Sequence, residues 1–452
     1  MSSAKTNGVS QRNESYLPIA IVGGGLGGLA LAVGLLKQGV KIHIYEAAHV
    51  FSEIGAGVAF GPNATRALGL IDERLLEGYK EYATFNDDRE RDATFMCLRW
   101  GMDEQREEGK KAGELIAYLE DKWNPDSAKS IGVRTRSCIH RARLLDVLVS
   151  LIPEGVTSFA KSFKSAEEQS DGTLKLNFAD GSTAMASAMI GCDGIKSKTR
   201  EIVCGPEVEA SYVGEYAFRA VVPRAEAEKA LGADLARNGQ LYCGYGAYIV
   251  TYPIEHGDFT NMVAIPHERG ESWTWEQEDW TVPSTKHDFV RQFEGWFPPL
   301  VDLIQKYCQP YTWALFNVEH TSPYYKGRVC LLGDSAHAAT PHMGAGAGMA
   351  MEDAYILSNI LSHFIASRRN LEDIETAFQA YDAVRRSRTQ KLVENSRKSG
   401  LLIDFIMTGV NDDAHAMVEQ LENLYKWLWH EDLEAQLEYA KSFIPALDRI
   451  FD

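Results

Sequence analysis

Three glycine-bearing turns, each entered from a short apolar run, carry most of the chemistry in this 452-residue chain. The first is Gly23-Gly24-Gly25-Leu26-Gly27-Gly28, which fits GxGxxG through Gly23, Gly25 and Gly28. Pro18 to Val22 reads as a buried parallel strand before it, and Leu29 to Gln38 as an apolar helix stopped by Gly39. Lys41 to Tyr45 reads as a second strand, ending at Glu46. Gly23 makes the tight turn, Gly25 lets the backbone approach a pyrophosphate, and Gly28 lets the helix pack close to the strand. The helix N-terminus faces the phosphates, and Glu46 can accept hydrogen bonds from a ribose diol. Strand, turn, helix and terminal acid in register predict a dinucleotide pocket. The alternative is a glycine-rich turn in an ordinary βαβ unit.

The other two turns separate FAD from NAD. Ala186 to Gly191 is a small apolar strand running into Cys192-Asp193-Gly194, and Gly327 to Leu332 is another running into Gly333-Asp334. The third turn continues through Pro341, Gly344, Gly346, Ala347 and Gly348 into an apolar helix from about Met349. An aspartate at a strand's carboxyl end lies where open α/β sheets bind ligands. Asp334 can accept a hydrogen bond there from a polyol such as a ribityl chain. The glycine loop offers free N–H groups and a positive dipole end, which suits the N1–C2=O edge of an isoalloxazine.

A lone cation is the remaining chemical signal. Arg219 sits between Phe218 and Ala220 in an otherwise apolar strand. Burying a guanidinium alone costs roughly several kcal/mol, so it must meet a carboxylate, solvent or a ligand anion. Tyr252 ends an apolar run directly before Pro253, and its hydroxyl can donate to a substrate oxygen or a neighbouring carbonyl. Tyr118, Tyr245 and Tyr248 compete for that part, and core packing is the alternative for all four. His337 and His342 are five apart without a third ligand, so no metal is expected. Glu352 and Asp353, early in a helix, read as partners of the helix macrodipole.

Composition narrows the partners. The formal charge of −17 leaves no basic footprint for nucleic acid or an anionic membrane. Seven widely spaced cysteines with no CxxC pair read as reduced thiols. The polar N-terminus has no apolar core of a signal peptide, and the uncharged stretch Pro18–Leu36 is too rich in glycine for a membrane helix. A cytoplasmic protein, monomeric or homodimeric, is expected.

The chain also divides by composition. Residues 17–85, 130–210 and 320–400 read as an α/β cofactor domain, and 86–129 and 211–319 as a β-sheet domain over a pocket. Within the latter, Glu215 to Val222, Leu241 to Tyr252 and Thr260 to Ile265 read as strands, and the charged stretches of 86–112 as solvated loop. Residues 1–16 read as a disordered tail and 401–452 as C-terminal helices. No second GxGxxG occurs, so a nicotinamide nucleotide has no Rossmann unit of its own.

Taken together, GGGLGG with Glu46, the block His140 to Leu144, Cys192-Asp193-Gly194 and Gly333-Asp334 with its glycine loop resemble the single-component FAD-dependent aromatic hydroxylases. The block Glu53 to Ala64 resembles the salicylate hydroxylase branch. That block, with Phe218-Arg219 and Thr251-Tyr252-Pro253, is most similar to fungal polyketide-pathway enzymes that dearomatise orcinaldehyde-like phenols. The resemblance implies an α/β fold: a Rossmann-like FAD-binding domain, an interleaved β-sheet substrate domain and C-terminal helices. It implies a monooxygenase that uses bound FAD, transient NADPH or NADH, and O2 to hydroxylate a phenolic small molecule through a flavin C4a-hydroperoxide. A salicylate-type decarboxylating hydroxylase, a flavin reductase and a silent flavoprotein are the alternatives.

Residue by residue, the resemblance assigns Glu46 to the adenosine ribose, the Ala59 backbone to the cofactor, and Arg141 to FAD from a helix start. Asp334 goes to the ribityl or phosphate region, and Ala347, beside Gly346, offers its N–H to the flavin ring. Asp193 would serve both FAD and the visiting nicotinamide. Arg219 would meet the phenolate oxygen and Tyr252 would set the ring face. Arg141 as a surface charge and Asp193 as a mere turn former are the other readings.

Overall fold

A computed structural model describes residues 16–51, 57–105, 109–124, 131–267, 279–367, 371 and 373–444. The tail read over 1–16 lies outside them except for Tyr16, as does the part of the Glu53 block before Gly57.

The apolar runs that precede the three turns lie side by side. Ile19–Val22 pairs in parallel with Ile42–Tyr45 on one side and Ala188–Gly191 on the other, and Val329–Leu331 follows in parallel. Thr157–Ser158 and the antiparallel Tyr325–Lys326 close this six-stranded sheet. Its inner strands are buried on both faces, which is why they read as unbroken apolar runs. All three turns therefore open at the carboxyl edge of one sheet. Helix Leu26–Lys37 follows the first turn and packs on helix Gly346–Ser367. The two approach closely because of glycine: a Cβ on Gly34 would fall 2.6 Å from Ser358 Oγ.

Around that helix pair lies a buried charge cluster. Glu352 and Asp353 are fully buried, and the macrodipole does not account for them. Arg385, also fully buried, reaches both at 2.8 Å, Arg388 holds Glu352 at 2.8 Å, and His337 Nε2 lies 2.6 Å from Asp353. Asn63 donates to Glu352, and the Gly333 N–H donates to Asp353. Burial raises both carboxyl groups, but the arginines, and His337 for Asp353, outweigh it and hold each at about 2. The cluster pins the third turn to helix Ile374–Ile403.

The second layer is an eight-stranded sheet. Its order is Thr281–Pro283, Tyr311–Asn317, Ser211–Pro223, Phe259–Pro266, Ala247–Ile254, Gln240–Gly244, Thr94–Trp100 and Leu115–Glu120. All pairs are antiparallel except Gln240–Gly244 with Thr94–Trp100. One reading needs correction here. The run Leu241–Tyr252 is a hairpin of two strands, turned at Tyr245-Gly246, where Gly246 adopts φ +77. Glycine takes that left-handed backbone at the second turn position without steric cost, and the aromatic residues around it masked the break. Within 86–112, Thr94–Trp100 is a buried strand between the charged stretches. Helices Ala414–Trp429 and Leu433–Lys441 follow the long helix. Among the described residues no helix is long and apolar enough to cross a membrane, and all seven cysteines are free thiols.

Candidate active site

A cavity of about 390 Å³ lies between the carboxyl edge of the six-stranded sheet and one face of the eight-stranded sheet. The first turn reaches it through Gly25 and Gly28. Gly23 is set back, with φ +107, and a Cβ there would fall 2.3 Å from the Cys192 carbonyl oxygen, so only glycine makes this turn. A Cβ on Gly25 would meet nothing within 4 Å. The N-terminus of helix Leu26–Lys37 thus faces an open cradle, as a pyrophosphate requires.

Glu46 lies outside the cavity lining. Its carboxylate accepts from the Gly24 N–H at 2.6 Å and the Ala48 N–H at 2.7 Å. Asp193 does not line it either. Its carboxylate closes the second turn, accepting from Ser197 Oγ and Thr199 Oγ1 at 2.6 Å and from the Lys198 and Thr199 N–H groups. The neighbouring Gly194 reaches the cavity instead. In the third turn Asp334 is exposed towards the cavity, and its Oδ1 lies 4.0 Å from where a Cβ on Gly346 would stand. Gly346 and Ala347 line the same wall at the start of their helix, and Ala59 and Arg141 line the wall beside it. Arg141 is the first residue of helix Arg141–Ser150.

The face opposite the turns comes from the large sheet. Arg219 lines it, and its Nε is buried with no hydrogen-bond partner among the described residues. The guanidinium lies 5.2 Å from the Trp313 ring. Burial pushes its pKa down, and Arg141 adds to this. Among the described residues no carboxylate pairs with it. Tyr252 also lines the cavity, but its hydroxyl donates to the Gly57 carbonyl at 2.9 Å. Burial pushes its phenol up. Of the competing tyrosines, Tyr245 donates to Asp412, Tyr118 lies under Arg91, and Tyr248 reaches the cavity.

This geometry coincides with family-level similarity. The family described as an FAD binding domain matches residues 155–396, and an NAD(P)-binding Rossmann-like domain matches residues 21–53. A 6-methylsalicylate 1-monooxygenase of Aspergillus terreus is 37% identical over 94% of this chain and 91% of its own. A salicylate hydroxylase of Pseudomonas putida is 34% identical over 96% of both chains. The chain belongs to the FAD-dependent aromatic monooxygenases, in the salicylate hydroxylase branch. A solved salicylate hydroxylase substrate complex superposes on the monooxygenase with a TM-score of 0.81 at 30% identity, covering 96% of this chain and 100% of that one. FAD is the cofactor of the monooxygenase, with NAD(P) as its second nucleotide.

Two cavity residues of the monooxygenase escape a reading of the sequence. Arg136 is buried, donates to the Phe95 carbonyl, and stacks on the Tyr252 ring at 4.7 Å. No motif in the sequence singles it out. His342 reaches the cavity from the glycine loop, where its spacing had suggested only an absent metal site.

Proposed function

We propose that the monooxygenase hydroxylates a phenol held as its phenolate against Arg219, and that the substrate is an orcinaldehyde-like polyketide phenol, dearomatised by the oxygen it receives from O2. The supporting observation is the partnerless, buried Nε of Arg219 on a cavity wall that faces the glycine loop. A cation left without a carboxylate in such a wall stabilises a ligand anion and favours ionisation of the ring. Bound FAD supplies the electron storage and oxygen activation that no side chain offers.

The chain's own residues position and enclose. Gly25 admits the pyrophosphate, Asp334 holds the ribityl or phosphate region, and the Ala347 N–H faces the flavin ring. Glu46, oriented by its two backbone donors, meets the adenosine ribose with its remaining lone pairs. Arg141 and the Ala59 backbone flank the cofactor. Asp193 acts through the turn it closes, which presents Gly194. Asp334→Ala should lower the flavin content of the purified protein, read from the visible spectrum, and full occupancy with full activity would remove Asp334 from this role. Gly346→Val should slow turnover by filling the space above Asp334, and unchanged turnover would count against that placement.

Tyr252 ties the Gly57–Phe60 strand to the large sheet, and its ring on the cavity wall meets the substrate. Tyr252→Phe should reduce kcat/KM, or change face selectivity, by about 1–3 kcal/mol, measured by product analysis on a chiral column. A second reading is decarboxylating hydroxylation of a salicylate. The names of the two relatives favour it, since both substrates carry a carboxylate beside the phenol. A panel of orcinaldehyde-like phenols and salicylates, scored for NAD(P)H oxidation coupled to product, decides between them. CO2 release marks the salicylate reaction, and a chiral dienone without CO2 marks dearomatisation.

A further inference from the structure

The cavity wall holds a second buried cation, which neither the cofactor nor the phenolate uses. Arg136 stands directly before strand Ser137–His140, and only 3% of it is exposed. Its guanidinium lines the cavity, 4.7 Å from the Tyr252 ring and 5.3 Å from the Phe95 ring. Nη1 donates to the Phe95 carbonyl and meets the Met96 sulfur, while Nε is buried with no hydrogen-bond partner. The side chain passes because position 239 is glycine: a Cβ there would fall 2.9 Å from Nε. Among the described residues no carboxylate pairs with Arg136.

These contacts do not neutralise it. A carbonyl and a thioether carry no charge, and two ring faces recover only part of what desolvating a guanidinium costs. The cavity as a whole shows the same imbalance. Arg136, Arg141 and Arg219 line it against one carboxylate, Asp334, in a chain whose formal charge is −17. Arg136 and Arg219 reach the wall from opposite flanks of Tyr252. In the large sheet the strand of Arg219 lies two places from that of Tyr252 on one side. The strand of Phe95 and Met96, which hold Arg136, lies two places away on the other. Those outer strands are about 19 Å apart, and Arg219 leans further out, onto Trp313. One oxygen therefore does not serve both cations.

We propose that Arg136 anchors a second acidic group of the substrate, a carboxylate or an acid of similar strength on a side chain of the phenol. The inference rests on the phenol reading above and narrows its substrate class. The phenolate meets Arg219, the ring lies on the Tyr252 wall, and the side chain runs past Leu241 to Arg136. Phe95 and Tyr425, with ring centres 5.3 Å apart, line the cavity there and keep water from the pair. A charge-assisted hydrogen bond made in such an enclosed place is stronger than one made in water. The guanidinium is already held by its two rings and the Phe95 carbonyl, so little freedom is lost when the anion arrives. A neutral side chain leaves the cation unpaired, and the wall discriminates against it for that reason. Arg136 touches no reacting atom; it sets which phenols are accepted.

The test titrates the FAD-loaded monooxygenase with hydroxyphenylacetate and hydroxyphenylpropanoate, meta and para isomers, each against its primary amide. The change in the flavin spectrum reads Kd. In wild type the acid of at least one pair should bind about 10–100-fold more tightly than its amide. Arg136→Met should abolish that preference by weakening the acid, whereas Arg219→Ala should weaken acid and amide alike. If the methionine variant does not fold, Arg136→Lys carries the same test: the preference should fall, because an ammonium lacks the planar fork. Equal binding of acids and amides by wild type, or a preference unchanged in the Arg136 variant, overturns the anchor and leaves the phenol reading standing. Loss of flavin from a folded Arg136→Met assigns the cation to the cofactor and overturns the anchor too. If wild type binds none of these ligands and no phenol of the panel, the phenol reading falls and the anchor with it.

Discussion

Arg219→Ala should lower product formation by the monooxygenase about 10²–10³-fold while FAD stays bound. The guanidinium stands on the cavity wall formed by the large sheet, across from Asp334 and Gly346 of the glycine loop, so flavin content should not depend on it. What it supplies is a positive charge in a wall otherwise built from residues such as Ala217, Val263 and Leu315. Removing one preorganised charge-stabilising donor from an enclosed site costs about 2.7–4 kcal/mol, which is the expected loss in kcat/KM. Arg219→Lys should recover only part of it, because an ammonium cannot reproduce the planar fork stacked on Trp313. The measurements are kcat/KM for product on a productive phenol and the flavin-to-protein ratio. Near-normal product formation by the alanine variant at ordinary substrate concentration would defeat the phenolate anchor.

Arg385→Met should destabilise the protein by about 3–5 kcal/mol, the loss expected when one partner leaves a buried ion network. Methionine fills the space but leaves Asp353 with His337 and the Gly333 N–H, and Glu352 with Arg388 and Asn63. Urea titration of the FAD-free protein reads the loss, and an unchanged midpoint would show that the remaining partners suffice. The same cluster sets the acid limit. Glu352 and Asp353 are held at about 2, below their unfolded values of 4.5 and 3.8. Their stabilising contribution is complete above those unfolded values and is lost as the pH falls towards 2. Arg385→Met should flatten that acid-side slope.

Local chemistry in this chain can be read without coordinates, and long-range chemistry cannot. Gly23, Gly25, Gly28 and Glu46 sit in one βαβ unit, so their spacing carries their geometry. Asp334 and Gly346 follow one strand and open one helix, and they too are legible. Asp193 had two readings, and the four hydrogen bonds to its carboxylate favour the turn over direct contact. The burial of Glu352 and Asp353 is not legible, because Arg385 and Arg388 stand more than 30 positions away on another helix. Arg136 and Tyr252 share no motif at all. Only the packing of the Ser137–His140 strand on the large sheet makes neighbours of them.

The strand order of the two sheets has a consequence for how the chain is made. The six-stranded sheet takes Ile19–Val22 and Ile42–Tyr45 from the start of the chain and Val329–Leu331 from far along it. The eight-stranded sheet takes its last two strands from Thr94–Trp100 and Leu115–Glu120, ahead of all the others. Neither sheet lies in a contiguous segment, so neither half can be excised and expected to stand alone. An excised 211–317 segment would leave the Gln240–Gly244 edge bare, with its backbone groups open to other chains. On the ribosome, the first sheet waits until Leu331 has emerged, roughly tens of seconds after Ile19 at ordinary rates of synthesis. From the emergence of Gly191 until that of Leu331, Ala188–Gly191 lacks its final neighbour on one side, and this interval is when a chaperone has the most to do.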